Sequence, residues 1–197
     1  MVKFITNDYI VNMGYQHILQ GLARLGYDII DTNFLDTPNR CTRAFFEFVK
    51  SKEEIELETK QLFKKSFYSE NDEMIVETKI PVVSLCPHHL LPVEMRVYIG
   101  YIPEKTVIGL SKLPRLAKLL GKQPILQEDY TKQIAETIFS YLKPQGVGIF
   151  IKGKHGCMRF RGVNISDTET ITSYVMGNFK SNPSTRQEFL ELCRNDK

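Results

Sequence analysis

The sequence lacks the features that mark membrane, secreted and nucleic-acid-binding proteins. No apolar run in its 197 residues approaches the roughly 20 needed to cross a bilayer. Residues 1–14 lack the charged start, apolar core and small-residue cleavage site of a signal peptide. The net charge of +3 is small, and Lys and Arg are spread along the chain. We therefore expect a cytoplasmic protein with no membrane partner and no nucleic-acid partner.

Cysteine and histidine are scarce, with four of each, and tryptophan is absent. Cysteines in a reducing compartment are more often metal ligands or buried small residues than disulfides. Two of the histidines are nevertheless adjacent, within SLCPHHLLP at 84–92. A third lies beside a cysteine in KHGCMRFRG at 154–162. This clustering of rare residues suggests a site where the two segments meet.

The spacing of apolar residues predicts a helical first part and a mixed second part. The first part contains predicted helices at 9–26, 36–50 and 52–65. The second part contains predicted strands at 73–86 and 93–103, helices at 111–121 and 128–143, strands in GVGIFIKGK, CMRFRGVNI and ETITSYVMG, and a last helix at 183–194.

This order of elements is typical of an α+β fold with a largely antiparallel sheet and helices packed on one face. A chain of 197 residues fits one domain of ordinary size with an added helical segment. We therefore expect a helical N-terminal segment at 1–70 and a catalytic domain at 71–197, which together form one functional unit.

The two histidine-containing segments offer five candidate metal ligands. Cys86 and His89 have the C-x-x-H spacing of zinc sites. Adjacent residues of an extended chain point to opposite sides, so His88 and His89 would not readily bind the same ion. In a strand, His155 and Cys157 would share a side. Cys86, His89 and Cys157 would then make a Cys₂His set with one open position, as in catalytic zinc sites.

The remaining histidines of these segments, His88 and His155, would be available as proton carriers near neutral pH. The alternative is that both cysteines are buried small residues and the histidines are hydrogen-bonded core groups. The spacing alone leaves both interpretations open.

Several basic residues could bind an anion. Ser111, Lys112 and Arg115 open a predicted helix, where backbone donors and the helix dipole favour phosphate. Arg159 and Arg161 would point to one side of the strand predicted for CMRFRGVNI. Arg40 and Arg43, three residues apart, share a face of an early helix. Taken singly, each basic pair is more often part of a solvated surface.

Several longer motifs follow one another along the chain: SLCPHHLLPV, YIGYIP…VIGLSKLPRLAKLL, QEDYTKQIAETI, GVGIFIKGKHGCMRFRGV and TSYVMGNFKSNPSTRQEFLEL. In this order they resemble the GTP cyclohydrolase I family, and DTPNRCTRAF resembles that family's upstream helix. The resemblance covers about residues 34–193. It implies the T-fold, or tunnelling fold, and a homodecamer with active sites at subunit interfaces, which are typical of the family.

The resemblance implies a zinc ion (Zn²⁺) held by Cys86, His89 and Cys157, with His88 and His155 as proton-transfer residues. It further implies that Glu128, with Gln127 beside it, recognises guanine. The triphosphate of GTP would be bound by Ser111, Lys112, Arg115 and Arg161, helped by Arg40 and Arg43 from another subunit.

The implied reaction opens the imidazole ring of GTP, releases formate and closes to 7,8-dihydroneopterin triphosphate. His155 would protonate N7, while His88 and Ser111 would assist ribose opening and rearrangement. The product would enter a pterin, folate or deazapurine pathway.

One residue departs from the family's pattern. Pro87 stands where the usual CEHH motif has a glutamate. The loss of that acid motivates an alternative reaction that stops after ring opening, at a formamidopyrimidine nucleotide. A second alternative is a non-catalytic homologue with structural zinc, although such a site would need neither spare histidine.

Overall fold

The computed structural model describes residues 6–194. The chain divides into two compact units, one ending at Val49 and the other beginning at Lys50. The first unit contains two helices, α1 (Asn7–Arg24) and α2 (Thr37–Phe48). No helix within residues 6–194 is long and apolar enough to span a membrane.

The two helices of the first unit begin at residues that favour the start of a helix. The Thr6 hydroxyl accepts a hydrogen bond from the backbone N–H of Tyr9 at the start of α1. Pro38 lies in the first turn of α2, where its missing N–H has no helical partner to lose. The Asn12 amide donates to the Asn39 side-chain oxygen at 2.8 Å and joins the two helices.

The second unit contains six strands and six helices within its described residues. In chain order they are α3 (Lys52–Leu62), β1 (Phe67–Tyr68), β2 (Ile75–Leu85), β3 (Pro92–Ile102), β4 (Thr106–Val107), α4 (Lys112–Leu120), α5 (Gln127–Leu142), β5 (Gly146–His155), α6 (Gly156–Arg159), β6 (Thr170–Gly177), α7 (Asn178–Ser181) and α8 (Pro183–Arg194).

Four of these strands form an antiparallel sheet in the order β2-β3-β5-β6. Strand β5 is almost entirely buried, and β3 is buried throughout from Val97 to Ile102, which explains the apolar sequence of these stretches. Helices α4 and α5 cover one face and share a core with the strand residues Val97, Ile99 and Ile149. The predicted α+β architecture with an antiparallel sheet is thus confirmed.

The C-terminal helices add a layer that the sequence pattern did not predict. Phe179 and Phe189 are fully buried in a second cluster with Tyr98, on the face opposite α4 and α5. A Cβ on Gly100 would lie 2.7 Å from Phe189, and one on Gly148 would lie 2.6 Å from Phe179. The expectation of helices on one face therefore holds for α4 and α5, while α7 and α8 cover part of the other.

The strand predicted for CMRFRGVNI is wrong. Strand β5 ends at His155, and the helical turn α6 follows at once. The Phe160 N–H closes this turn on the Gly156 carbonyl at 3.0 Å. A side chain at position 156 could not fit, because its Cβ would lie 2.8 Å from the Pro92 carbonyl oxygen. Apolar and polar residues alternate in this segment, but the alternation does not mark a strand with one buried face, because Phe160 is 68% exposed.

The predicted common side for Arg159 and Arg161 fails for the same reason. Arg159 forms an ion pair with Glu94 at 3.4 Å and lies over the Phe160 ring. Arg161 instead reaches His89. A helical turn sends the two guanidinium groups to different partners.

We predict that Gly100→Ala destabilises the fold, because the added methyl group would overlap the buried Phe189 ring. Overpacking of this kind lowers the free energy of unfolding by about 1–3 kcal/mol. Urea unfolding measures the change. Gly109→Ala is the matched control, because an added Cβ there meets no atom within 4 Å. Equal stability of the two variants would contradict the prediction.

Candidate active site

The first half of the site is the tight connection between β2 and β3. The backbone N–H of Leu90 donates to the Cys86 carbonyl, and the N–H of Cys86 donates to the Leu91 carbonyl, both at 2.9 Å. Leu90 has a φ of 52°, a left-handed conformation that lets the chain reverse here. The turn brings the Cys86 sulfur to 3.8 Å from Nδ1 of His89.

The second half of the site lies at the end of β5. Because β5 runs antiparallel to β3, His155 is paired with Val93, immediately after the connection that carries Cys86 and His89. The helical turn α6 then carries Cys157 toward them. The candidate ligand atoms of Cys86, His89 and Cys157 all lie within 4.8 Å of one another.

These three residues fit a divalent ion of the zinc type. A tetrahedral site with Zn–S and Zn–N bonds of ordinary length separates its ligand atoms by roughly 3.5–3.8 Å. The 3.8 Å between Cys86 and His89 lies at that separation. Burial raises the pKa of the Cys157 thiol, and the nearby Cys86 raises it further. A bound cation reverses both effects, because it stabilises thiolates. The group can therefore hold a metal ion.

The sequence predicted that His155 and Cys157 share one side of a strand, but the structure does not place them so. His155 is the last residue of β5, and Cys157 belongs to α6. The two residues still lie at the same end of the sheet, because the helical turn folds back toward β3. The prediction that the two residues belong to one site is consistent with their positions. The predicted local conformation, a strand through Cys157, is wrong.

The side chains of Arg161 and His88 lie beside the three candidate metal ligands. Arg161 Nη1 lies 3.0 Å from Nε2 of His89, the ring nitrogen other than the candidate ligand atom Nδ1. His88 is exposed in the same turn, with its ring centroid 6.3 Å from that of His89 and the rings inclined at 73°. His88 is therefore open to solvent or a ligand beside the metal ligands.

His155 lies on the inner side of the cluster and is half-buried. Its Nε2 is 2.9 Å from the side-chain oxygen of Gln127, the first residue of α5. Burial lowers the pKa of His155 below its usual value, and the Glu128 carboxylate partly opposes this effect. The imidazole is therefore held in a site that favours its neutral form near pH 7.

Gln127 and Glu128 are adjacent but have different surroundings. Glu128 is exposed and lines a pocket of about 420 Å³ with Asp129 and Lys132. Gln127 is only 3% exposed, and its carboxamide is bonded within the protein. This geometry presents Glu128 to a ligand, whereas the Gln127 carboxamide has partners within the protein.

The predicted anion-binding residues of α4 line a separate groove of about 580 Å³. Lys112 and Arg115 lie there, and Ser111 is exposed at the N-terminal end of the helix. Glu58 is the one acid among its lining residues, and it is already paired with Lys50. The groove is lined by Lys50, Glu58, Gln61, Leu62, Lys64, Lys65, Lys112, Arg115, Lys118, Leu119 and Lys122.

Sequence reasoning missed most of these cations. Lys112 and Arg115 lie on one helix face, and Lys118 and Lys122 follow at intervals of three and four residues. The sequence spacing could therefore have predicted that these two lysines belong to the same basic face. Lys64 and Lys65 follow α3 and gave no comparable signal, because only the fold brings them to α4. The groove therefore carries more positive charge than the sequence motif indicated.

Arg40 and Arg43 belong to the first unit of the chain. Arg40 donates to the Asn33 carbonyl at 2.9 Å and to the Thr37 hydroxyl at 3.0 Å. Arg43 lies 3.4 Å from Asp36 in an exposed ion pair. Both guanidinium groups remain at the surface of α2 within that unit.

Comparison with known proteins identifies the family. The family model described as GTP cyclohydrolase I matches residues 15–194. GTP cyclohydrolase 1 of Leptospira biflexa is 40% identical over 88% of this chain and 93% of its own length. The proteins of the same name from Rattus norvegicus and Coxiella burnetii are 41% and 39% identical over 88% and 90% of this chain, and 71% and 96% of their own lengths.

Among solved structures, the apo form of the archaeosine synthase QueF-Like matches 53% of this chain and 93% of its own, with 16% identity and a TM-score of 0.41. At that score the likeness carries no weight beside the sequence matches. Because the family model spans nearly the whole chain and relatives near 40% identity match most of it, the chain belongs to the GTP cyclohydrolase I family.

Proposed function

We propose that this protein is a zinc-dependent GTP cyclohydrolase I that converts GTP to 7,8-dihydroneopterin triphosphate and formate. The observation that carries the proposal is the group of Cys86, His89 and Cys157 with two further histidines beside it. A structural zinc site would use four protein ligands and need no spare base, whereas a catalytic one keeps a position open. The product would supply a pterin, folate or deazapurine pathway.

Cys86, His89 and Cys157 would hold the zinc ion through two sulfurs and one nitrogen. When bound, zinc supplies Lewis-acid activation of water near neutral pH. Every other part of the reaction falls to the side chains of this protein, which must bind GTP, orient it and move protons.

Two histidines would carry protons in different surroundings. His155 is half-buried and favours its neutral form, so it can accept a proton and deliver it to N7 of the purine. His88 is exposed at the rim and would serve the ribose, where ring opening and rearrangement need an acid and a base. Ser111, also exposed, would assist at the ribose.

Glu128 is suited to recognise guanine because its carboxylate offers two acceptors. The Watson–Crick edge of guanine presents two adjacent donors, the N1–H and the 2-amino group, so both can be bonded by one carboxylate. Glu128 is exposed and lines a pocket, so the edge of a base can reach it.

The triphosphate would be held by cations that take no part in bond making. Lys112 and Arg115 line the basic groove, and Arg161 lies against the metal ligand His89. We further propose that Arg40 and Arg43 reach the triphosphate from another subunit of a homodecamer with active sites at its interfaces. The assembly would function in the cytoplasm, with residues 1–70 as a helical segment and 71–197 as the catalytic domain.

The first test of this function is the product formed by the zinc-loaded protein with GTP. We expect mass spectrometry to detect 7,8-dihydroneopterin triphosphate and one formate for each GTP consumed. Accumulation of a formamidopyrimidine nucleotide would instead mean that the reaction stops after ring opening. Unchanged GTP with folded, zinc-bound protein would favour a non-catalytic homologue.

We predict that Cys157→Ser loses the metal, because a neutral hydroxyl replaces one of two thiolate ligands. Mutation of residues that only hydrogen-bond a metal ligand typically lowers metal affinity by about 10–100-fold. We therefore expect the loss of a ligand to lower zinc affinity by more than about 100-fold. Zinc content after dialysis, measured by inductively coupled plasma mass spectrometry, reports the change. Cys41→Ser, a cysteine of the first unit, is the control that should keep its zinc. Full occupancy in Cys157→Ser would rule out this ligand set.

We predict that Glu128→Ala weakens guanine binding without removing the metal. Two hydrogen bonds to a charged group are worth about 1.5–3 kcal/mol each, so the dissociation constant should rise at least about tenfold. Calorimetric titration with 8-oxo-GTP, whose C8 is already oxidised, measures binding without turnover. Glu136→Ala removes an exposed acid from the same helix and should leave affinity unchanged. Equal affinities in the two variants would exclude guanine recognition by Glu128.

A further inference from the structure

The Gln127 side chain has a fixed orientation within the core of the active site. Its amide nitrogen lies 3.0 Å from the Thr170 carbonyl oxygen and 3.5 Å from the Ile151 carbonyl oxygen. Backbone carbonyls can only accept, so the group that faces them must be the NH₂ and not the oxygen. The carboxamide oxygen must therefore point the other way, toward His155.

Two threonines reinforce this orientation through a closed ring of hydrogen bonds. The Thr131 hydroxyl donates to the main-chain oxygen of Gln127 at 2.6 Å. The hydroxyls of Thr131 and Thr172 lie 2.7 Å apart, and since the Thr131 proton is already used, Thr172 donates to Thr131. Thr172 is then free to accept from the Gln127 amide at 3.1 Å. A reversed carboxamide would break this ring and oppose two carbonyls.

Gly153 provides the space that the carboxamide needs. It lies on β5, two residues before His155, and therefore on the same face of the strand. A Cβ at this position would lie 2.1 Å from the carboxamide oxygen and 2.9 Å from its carbon. The absence of a side chain at Gly153 lets Gln127 lie flat on the strand and reach the imidazole.

The orientation of Gln127 determines which nitrogen of His155 carries hydrogen. The carboxamide oxygen 2.9 Å from Nε2 can only accept, so Nε2 must be protonated. In the neutral ring, Nδ1 then holds the lone pair. No hydrogen bond within residues 6–194 engages Nδ1. Nδ1 is thus the nitrogen available to a substrate.

The same arrangement serves both states of a proton carrier. When Nδ1 takes a proton, Nε2–H still donates to the Gln127 oxygen, and no group has to rotate. If the amide NH₂ faced the ring instead, Nε2 would have to accept a hydrogen bond from it. Protonation of the ring would then place two N–H donors, on Nε2 and on the amide, opposite each other. The observed orientation therefore lets His155 gain a proton and return it through one atom.

We propose that Gln127 is a positioning residue for His155, which holds Nε2–H so that Nδ1 exchanges the proton with the substrate, and not a contact for guanine. This inference rests on the proposed function of His155 as the proton carrier. It replaces the substrate contact expected from the sequence with a role that acts through another side chain.

The tautomer of His155 can be tested without turnover. Solid-state ¹⁵N NMR of the zinc-loaded, histidine-labelled protein should show a protonated Nε2 and an unprotonated Nδ1 near neutral pH. With four histidines in the chain, the signals of His155 are those lost in His155→Asn. A His155 that carries its hydrogen on Nδ1 would overturn the proposal, whether or not the protein consumes GTP. Failure of the proposed function would appear separately, as wild-type protein that leaves GTP unchanged.

Kinetics of Gln127→Met separate positioning from substrate binding. General acid–base catalysis contributes about 10²–10⁴-fold, and we expect loss of the tautomer control to lower kcat about 10–100-fold. The dissociation constant of 7-deaza-GTP, which has a C–H group in place of N7 and so does not depend on the His155 tautomer, should change by less than about twofold. Weaker binding by tenfold or more with kcat retained would show a guanine contact and overturn the proposal, and so would unchanged kcat with an unchanged tautomer.

Two further variants guard against a purely structural effect. Thr172→Val removes one acceptor of the Gln127 amide and touches neither His155 nor the metal ligands, so a smaller fall in kcat with intact 7-deaza-GTP binding is expected. It also keeps the test available if Gln127→Met does not fold. Gln133→Met makes the same chemical change on the same helix, where the Gln133 side chain accepts a hydrogen bond from Gln123, and should leave kcat unchanged. A loss of kcat in Gln133→Met equal to that in Gln127→Met would overturn the proposal.

Discussion

The antiparallel register between β3 and β5 is the constraint on which the site depends. It pairs Val93 with His155, so the connection carrying Cys86 and His89 and the turn carrying Cys157 meet at one end of the sheet. A slip of one residue would move His155 to the other face of the sheet and separate it from Gln127. The register is held from both faces. Buried aliphatic residues pack against α4 and α5, and Gly100 is paired with Gly148 beneath the two rings of Phe179 and Phe189.

The site has a buried inner part and an exposed outer part. Gln127 and its threonine partners are buried or partly buried and hold the imidazole of His155 from within the core. His88 and Glu128 are exposed, where a ligand can meet them. Such a division suits a reaction with several proton transfers, because one base keeps a fixed orientation while the other adapts to a changing substrate.

The sequence predicted well what depends on local periodicity and on rare residue types. Alternating and apolar runs located β2, β3, β5 and β6, and the only clustered cysteines and histidines contained the group that can hold a metal ion. It failed at α6, where a polar–apolar alternation was not accompanied by burial of Phe160. It also could not predict the orientation of the Gln127 carboxamide, because its partners Thr170 and Thr172 lie more than 40 residues away and meet it only in the folded sheet.

Pro87 stands where the family's usual motif has an acid, directly after the candidate ligand Cys86. Position 87 lies in a turn closed by the Leu90 N–H on the Cys86 carbonyl, and no N–H of residue 87 takes part in that closure. Proline lacks this donor and fixes φ near −65°, so it suits a position inside a tight turn. Cys86 and His89 accordingly remain within reach of one ion. Pro87 is therefore compatible with the turn that carries the ligands, and it places no negative charge beside them.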